Sequence, residues 1–284
     1  MVEIDGLPSV KEMLERSRFV PRRAWGQNFL FDLNLANRIA SAAGKLDGQT
    51  VIEVGAGLGG LTRAILFAAA SQVIAIERDP RCAPALQEIA LHYPGRLRVI
   101  IGDAMKQDFS VFSDRPVKLI ANLPYQIATA LLLKWLQSKV WPPWWSGAVL
   151  MFQKEVAERI TATSSNKAYG RLSVLVSWLT RAVIICEVEP YMFMPVPKVS
   201  SAVVRFSPRV SPLACDRGLL EKVTSVAFRQ RRKMLRSSLK PLLKYLSSGQ
   251  SVDNLCKHAW IDSSLRAENL SIEDFVRLVN VLSA

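Results

Sequence analysis

The stretch Thr50-Val51-Ile52-Glu53-Val54-Gly55-Ala56-Gly57-Leu58-Gly59-Gly60 decides the fold of this chain. A β-branched, apolar run passes into a loop with four glycines, and residues 61–70 continue as a helix-like run. Glycines at such a loop let the backbone turn sharply and approach a ligand closely. A strand that enters a helix through such a loop is the first half of a βαβ unit.

Working outward from the loop, the alternation continues. Strand-like runs fall at 50–54, 73–77, 97–101, 117–121 and 148–152, with helix-like runs at 61–70, 80–91, 126–137 and 154–161. Asp32 is placed to cap a helix over 33–43 that Gly44 stops, and Pro80 after Asp79 suits a first helical position. Strands alternating with helices argue for an α/β fold with a mostly parallel, doubly wound sheet. The β-like runs 172–180 and 199–206 are expected to finish the sheet as an antiparallel edge. Ser207-Pro208 and Ser211-Pro212 then punctuate the chain, and only helix-like runs follow, at 219–246, 251–259 and 271–282. The expected domains are therefore 1–206, a Rossmann-like domain with a basic N-terminal arm, and 207–284, a smaller all-helical domain.

The chain has 284 residues, half of them apolar, so a sizeable core can be buried. Its formal charge is +13 with only two His, an excess that points to a polyanionic partner. No apolar run approaches the ~18 residues of a membrane span. The N-terminus carries Glu3, Asp5, Glu12 and Glu15 and resembles neither a secretory signal nor a transit peptide. Cys82, Cys186, Cys215 and Cys256 are scattered and form no metal set with His92 and His258. They read as reduced thiols in a cytoplasmic protein, with no metal and no membrane expected.

Two further positions carry chemistry. Glu77 ends the second strand, where a carboxylate can accept from ribose hydroxyls, and Asp103 follows the third, placed to accept from an adenine amine. Asn122-Leu123-Pro124-Tyr125 sits where the fourth strand meets its helix. An amide accepts from an exocyclic amine, and a phenol ring stacks on a base. Gly55, Gly57 and Gly60 also satisfy G-x-G-x-x-G, with Glu77 at the spacing of a dinucleotide enzyme. Taken alone, the loop leaves NAD and S-adenosylmethionine both open. Glu53, read as an anion suited to a cationic ligand, and the Asn-Leu-Pro-Tyr tetrad favour S-adenosylmethionine.

Seven ordered motifs resemble one family, the ribosomal RNA adenine N6-dimethyltransferases, whose bacterial member confers sensitivity to kasugamycin. They are Gly26-Gln27-Asn28-Phe29-Leu30, the loop from Glu53 to Thr62, the Asn122–Tyr125 tetrad and Phe152-Gln153-Lys154-Glu155-Val156-Ala157-Glu158-Arg159. Phe193-Met194-Pro195-Val196-Pro197-Lys198-Val199, Phe228-Arg229-Gln230-Arg231-Arg232-Lys233 and Arg266-Ala267-Glu268-Asn269-Leu270-Ser271 complete the set. Ala56 stands where that family often has Pro, and Trp141-Pro142-Pro143-Trp144-Trp145 matches none of its patterns. The tryptophan-rich segment is expected to pack its rings on the domain.

The resemblance implies a Rossmann-like S-adenosylmethionine-dependent methyltransferase with a helical RNA-binding domain. It implies S-adenosylmethionine held by Gln27, Asn28, Leu30, Gly55, Gly57, Glu77, Asp103 and Asn122. It implies catalysis by Asn122, Leu123, Pro124 and Tyr125, with Phe193 clamping the second face of the base. The implied partner is rRNA within an immature small ribosomal subunit, and the protein is expected to be a monomer. The RNA contacts are expected at Arg22, Arg23, Arg229, Arg232, Lys233 and Arg236. Arg16 and Arg18 extend the arm cluster, and Arg229, Lys233, Arg236 and Lys240 are expected on one helix face.

Overall fold

The structure is a computed structural model that describes residues 5–16, 19–22, 25–138, 140–245 and 251–283. In chain order its elements begin with α1 (Val10–Arg16), β1 (Phe29–Leu30), α2 (Leu33–Ala42), β2 (Thr50–Val54), α3 (Gly60–Phe67) and β3 (Gln72–Glu77). Next come α4 (Ala83–His92), β4 (Leu97–Ile101), β5 (Val117–Asn122), α5 (Tyr125–Leu136), β6 (Trp145–Gln153) and α6 (Lys154–Thr161). Then follow α7 (Arg171–Leu179), β7 (Thr180–Val188), β8 (Phe193–Met194) and β9 (Ser201–Pro208). The chain ends with α8 (Arg217–Arg229), α9 (Leu235–Ser238), α10 (Val252–His258) and α11 (Ile272–Ser283).

Seven strands form one sheet in the order β4-β3-β2-β5-β6-β9-β7. β4, β3, β2, β5 and β6 pair in parallel, and β9 runs antiparallel to β6. Val51, Ile52, Val73, Ile74 and Ile120 are fully buried, as expected of parallel strands covered on both faces. The strand order reverses between β2 and β5. In open α/β sheets ligands bind beyond the carboxyl ends at that reversal. Here it sets the glycine loop after β2 beside the tetrad after β5.

Local signals read in the sequence behave as expected. The Asp32 carboxylate accepts from Asn34 N at 2.8 Å and Leu35 N at 3.1 Å, starting α2. Trp144 stacks on Phe109 with ring centroids 5.6 Å apart, and Trp145 is buried, so the tryptophan-rich segment serves packing.

Three expectations are corrected. Residues 172–179 are not a strand but lie in α7, and the sheet's last strand is β7, which begins at Thr180. The run Leu-Ser-Val-Leu-Val-Ser-Trp-Leu is buried almost all round. A short apolar run of that kind fits a buried helix as well as a strand. Next, residues 219–246 are not one helix. α8 stops at Arg229, a turn follows, and Met234 makes an isolated bridge to Arg266 before α9 begins. Finally, the chain divides into two compact units, Met1–Ala157 with Val183–Pro208 and Glu158–Ala182 with Arg209–Ala284. The expected cut after residue 206 lies close to the third crossing, but it misses the excursion that carries α7 into the helical unit.

Candidate cofactor and target-base site

Gly55 N donates to Ile76 O at 2.8 Å, tying the glycine loop to β3. Gly57 has φ +57°, and a Cβ there would sit 2.8 Å from the Phe29 ring. Only glycine keeps both that backbone and that space. Gly57 N donates to Glu77 Oε2 at 2.8 Å, and Asp79 N donates to Glu77 Oε1 at 2.8 Å. Each carboxylate oxygen keeps a further lone pair for a hydroxyl. Burial pushes the Glu77 carboxyl up against the pull of these backbone donors.

Glu53 is buried, and its Oε2 accepts from Thr62 Oγ1 at 2.5 Å. Burial is the larger effect and raises its pKa to about 8. The group expected to be an anion is thus held mainly protonated at neutral pH. Asp103 caps a short turn, accepting from Met105 N at 2.9 Å through Oδ1. Glu53, Glu77 and Asp103 line one pocket with Gly55, Gly57 and the tetrad.

The opening segment lies over this pocket. Gln27, Asn28 and Leu30 line it, together with Trp25. The Gln27 amide is used inside the protein: Oε1 accepts from Arg22 N at 2.7 Å, and Nε2 donates to Asp79 Oδ2 at 2.8 Å. Burial opposes ionisation of Asp79, but Arg81 and Gln27 hold it down to about 2. Gln27 is thereby a strut for the arm rather than an open ligand. The Asn28 amide, oriented with Nδ2 toward Pro195 O at 3.1 Å, links the segment to the 193–199 loop. β1 and β8 pair antiparallel, with Leu30 opposite Phe193.

At the tetrad, Asn122 Nδ2 donates to Asn28 O at 3.2 Å. Engaging the nitrogen leaves the amide oxygen as the end available to a ligand. Pro124 O accepts from Ile127 N and Ala128 N at 3.0 and 3.1 Å, so its carbonyl is spent on α5. Leu123 is buried, and Tyr125 Oη lies 2.5 Å from Ser201 Oγ. Phe193 does not line the pocket. Its ring is buried in the core behind β1 and β8, so the second face of a base clamp is not formed by it in this conformation.

Among the RNA candidates, Arg22 is exposed and lies over the Trp25 ring at 4.7 Å, with Arg78 at 5.3 Å from the same ring. Arg18 and Arg23 lie outside the described residues. Arg229, Arg232, Lys233, Arg236 and Lys240 are all exposed, but they follow α8, a turn, α9 and a 3-10 segment. They form no single helix face, because the chain breaks where a continuous helix was expected. Arg231 is turned inward, donating to Glu268 at 2.8 Å and to Lys167 O at 2.6 Å.

Sequence reasoning missed Ser201, Trp25, Val10 and Asp79. Trp25 and Asp79 flank motifs already singled out and were legible as neighbours. Val10 and Ser201 gave no local signal, since only tertiary packing brings them to the site.

A glycine cradle beside buried carboxyls, facing an amide and an aromatic ring across the switch point, fits S-adenosylmethionine. Fold and site place the chain in the Rossmann-like, S-adenosylmethionine-dependent methyltransferases. The model of the family described as ribosomal RNA adenine dimethylase matches residues 18–284, and the chain belongs to that family. It is 54% identical over 283 residues to the ribosomal RNA small subunit methyltransferase A of Rhizobium etli (strain CIAT 652), covering 99% of this chain and 100% of that one. The protein of the same name from Methylobacterium radiotolerans is 53% identical over 278 residues, covering 97% and 93%. Among solved structures, a dimethyladenosine transferase from Plasmodium falciparum superposes with TM-score 0.72 at 27% identity, covering 85% of this chain and 93% of that one. The 23S rRNA methyltransferase ErmE gives 0.69 at 27%, covering 90% and 100%.

Proposed function

We propose that this protein dimethylates N6 of adenines in small-subunit rRNA, at two adjacent adenines of a hairpin, during assembly of the small subunit. The observation that carries the reading is the Asn122–Tyr125 tetrad facing the glycine loop at the switch point, in a chain of the rRNA adenine dimethylase family. The full-length identity to small-subunit enzymes favours that substrate over adenines of large-subunit rRNA.

S-adenosylmethionine would be held by Asn28, Leu30, Gly55, Gly57, Glu77, Asp103 and Asn122, and would supply an electrophilic methyl group. The protein presents the nucleophile. An adenine taken out of its stack enters against Tyr125. Its N6 lone pair is delocalised into the ring and is a poor nucleophile. Asn122 Oδ1 accepts one N6–H, and the Leu123 carbonyl, with Pro124 O already committed, accepts the other. Both contacts favour a pyramidal nitrogen whose lone pair is freed from the ring. Positioning and electrostatics carry the rate, and no low-pKa base is required. In the second transfer one of the two carbonyl contacts is dispensable.

In this reading the enzyme acts as a monomer in the cytoplasm, without a metal, on an immature small subunit, and the exposed cations around α8 and α9 track phosphates. No helix among the described residues is long and apolar enough to cross a membrane. The test is incubation of unmethylated small subunits with labelled cofactor, followed by mass spectrometry of rRNA digests. Two dimethylated adenines in one hairpin are expected. Label found only in large-subunit rRNA would overturn the reading.

A further inference from the structure

We propose that Trp260 is a stacking platform for an unstacked base of the RNA substrate, at a distance in sequence from every methyl-transfer motif. The proposal rests on the reading of this chain as an rRNA methyltransferase.

α10 ends in a Schellman motif. Trp260 N donates to Lys257 O at 3.1 Å, and Ile261 N donates to Cys256 O at 2.9 Å, with Ile261 and Cys256 both buried. The residue between them must take a left-handed backbone, and glycine is the usual occupant. Here it is a tryptophan at φ +58°. A Cβ in that conformation is disfavoured. The indole recovers nothing by packing: it is 87% exposed, and no ring contact to it is found among the described residues. Disfavoured backbone held around an outward-facing side chain marks a surface in use.

The surroundings select the occupant. Lys257 and His258 are exposed in the last turn of α10. Arg277 Nε donates to Ala259 O at 2.9 Å, which brings a guanidinium to the residue preceding the platform. Arg236 N donates to Ser263 O at 3.0 Å, three residues beyond it. Asp274 is paired with Arg277, while Asp253 and Asp262 accept from Ser263 Oγ and Ser264 Oγ and keep their charge, so the surplus of cations belongs to the unit as a whole. The unit that holds Trp260 carries 17 basic against 8 acidic residues. An exposed π face on a unit with that surplus of cations suits a base with its flanking phosphates. A protein partner would need an apolar patch, and Lys257, His258 and Asp262 around the indole are polar and exposed.

The test compares full-length wild type, Trp260→Gly and Trp260→Phe on unmethylated small subunits. Wild type is measured first; failure to bind or methylate these particles would defeat the proposed function itself. With wild type active, Trp260→Gly is expected to raise Tm by about 2–4 °C through relief of the backbone. The same variant should bind subunits about tenfold more weakly, with cofactor affinity unchanged. Trp260→Phe should keep most of the binding, and ultraviolet crosslinking should join the Trp260 peptide to an rRNA nucleotide. Unchanged subunit affinity in Trp260→Gly, a fall in its Tm, or a crosslink to a ribosomal protein instead of rRNA would each overturn the platform.

Discussion

The hydroxyls of Tyr125 and Ser201 lie 2.5 Å apart, joining the tetrad to the first residue of the antiparallel strand β9. Ser201 is fully buried, so the bond fixes the tilt of the ring from inside the protein. A hydroxyl without chemistry of its own thereby gains a positioning role. Tyr125→Phe and Ser201→Ala should each slow methyl transfer about fivefold, the scale of one ordinary hydrogen bond. Cofactor affinity should stay constant, and the double variant should be no slower than either single one. Additive losses in single-turnover assays would mean that the two residues act separately.

Asn122→Ala removes the proposed acceptor for N6–H while leaving the loop and strand in place. Only interactions stronger in the transition state accelerate the step. A fall in rate of ~10²–10³ at saturating cofactor is expected, beyond any loss of cofactor affinity, with RNA affinity retained. Near-normal labelled methyl transfer would show that the tetrad acts through its backbone alone.

Glu77 holds the glycine loop through Gly57 N and is the expected ribose acceptor. Glu77→Gln should weaken S-adenosylmethionine binding by ~1–3 kcal/mol, the cost of mismatching a buried polar contact. Calorimetry gives the answer directly, and unchanged affinity would remove Glu77 from the cofactor site.

Arg63 is fully buried in α3. Its guanidinium pairs with Asp5 and donates to Pro8 O at 2.6 Å and Leu7 O at 3.1 Å, and Tyr93 Oη donates to the same carboxylate at 3.0 Å. These bonds hold the segment that leads into α1, whose Val10 lines the cofactor pocket. Asp5→Asn leaves a buried cation unpaired and should destabilise the protein by ~3–5 kcal/mol. Burial opposes ionisation of Asp5, but Arg63 and the Leu7 amide hold its carboxyl below the usual 3.8. Its contribution is therefore full above that value and is lost as pH falls through the lowered pKa. The Tm gap between wild type and Asp5→Asn should close in strong acid; a gap that persists there would refute the ion pair as its cause.

Glu53 titrates in the opposite sense. Its folded-state pKa, raised to about 8 from 4.5, means that the unfolded chain releases this proton first. Stability from the protonated form is complete below about pH 4.5 and is lost as pH rises through 8. Glu53→Gln keeps an acceptor for Thr62 and carries no proton to lose. Relative to wild type, the variant should gain Tm steadily between pH 5 and 8. A pH-independent difference would place the Glu53 pKa near its ordinary value.

What the sequence by itself determined is what short-range chemistry encodes. β-branched runs became buried parallel strands, Asp32 capped α2, and four glycines made the loop after β2. The tetrad could be read because its strand, turn and helix are contiguous. Periodicity failed at α7, where an apolar run buried all round carries no distinguishing repeat. It failed again after Arg229, where a pairing with the distant Leu265 and Arg266 ends the helix. The partnerships that finish the site belong to tertiary structure alone: Tyr125 with Ser201, Asn122 with Asn28, Arg63 with Asp5. Their members lie tens of residues apart, so no local propensity can specify them. They form because the folded chain brings these segments together and buried polar groups must find partners there.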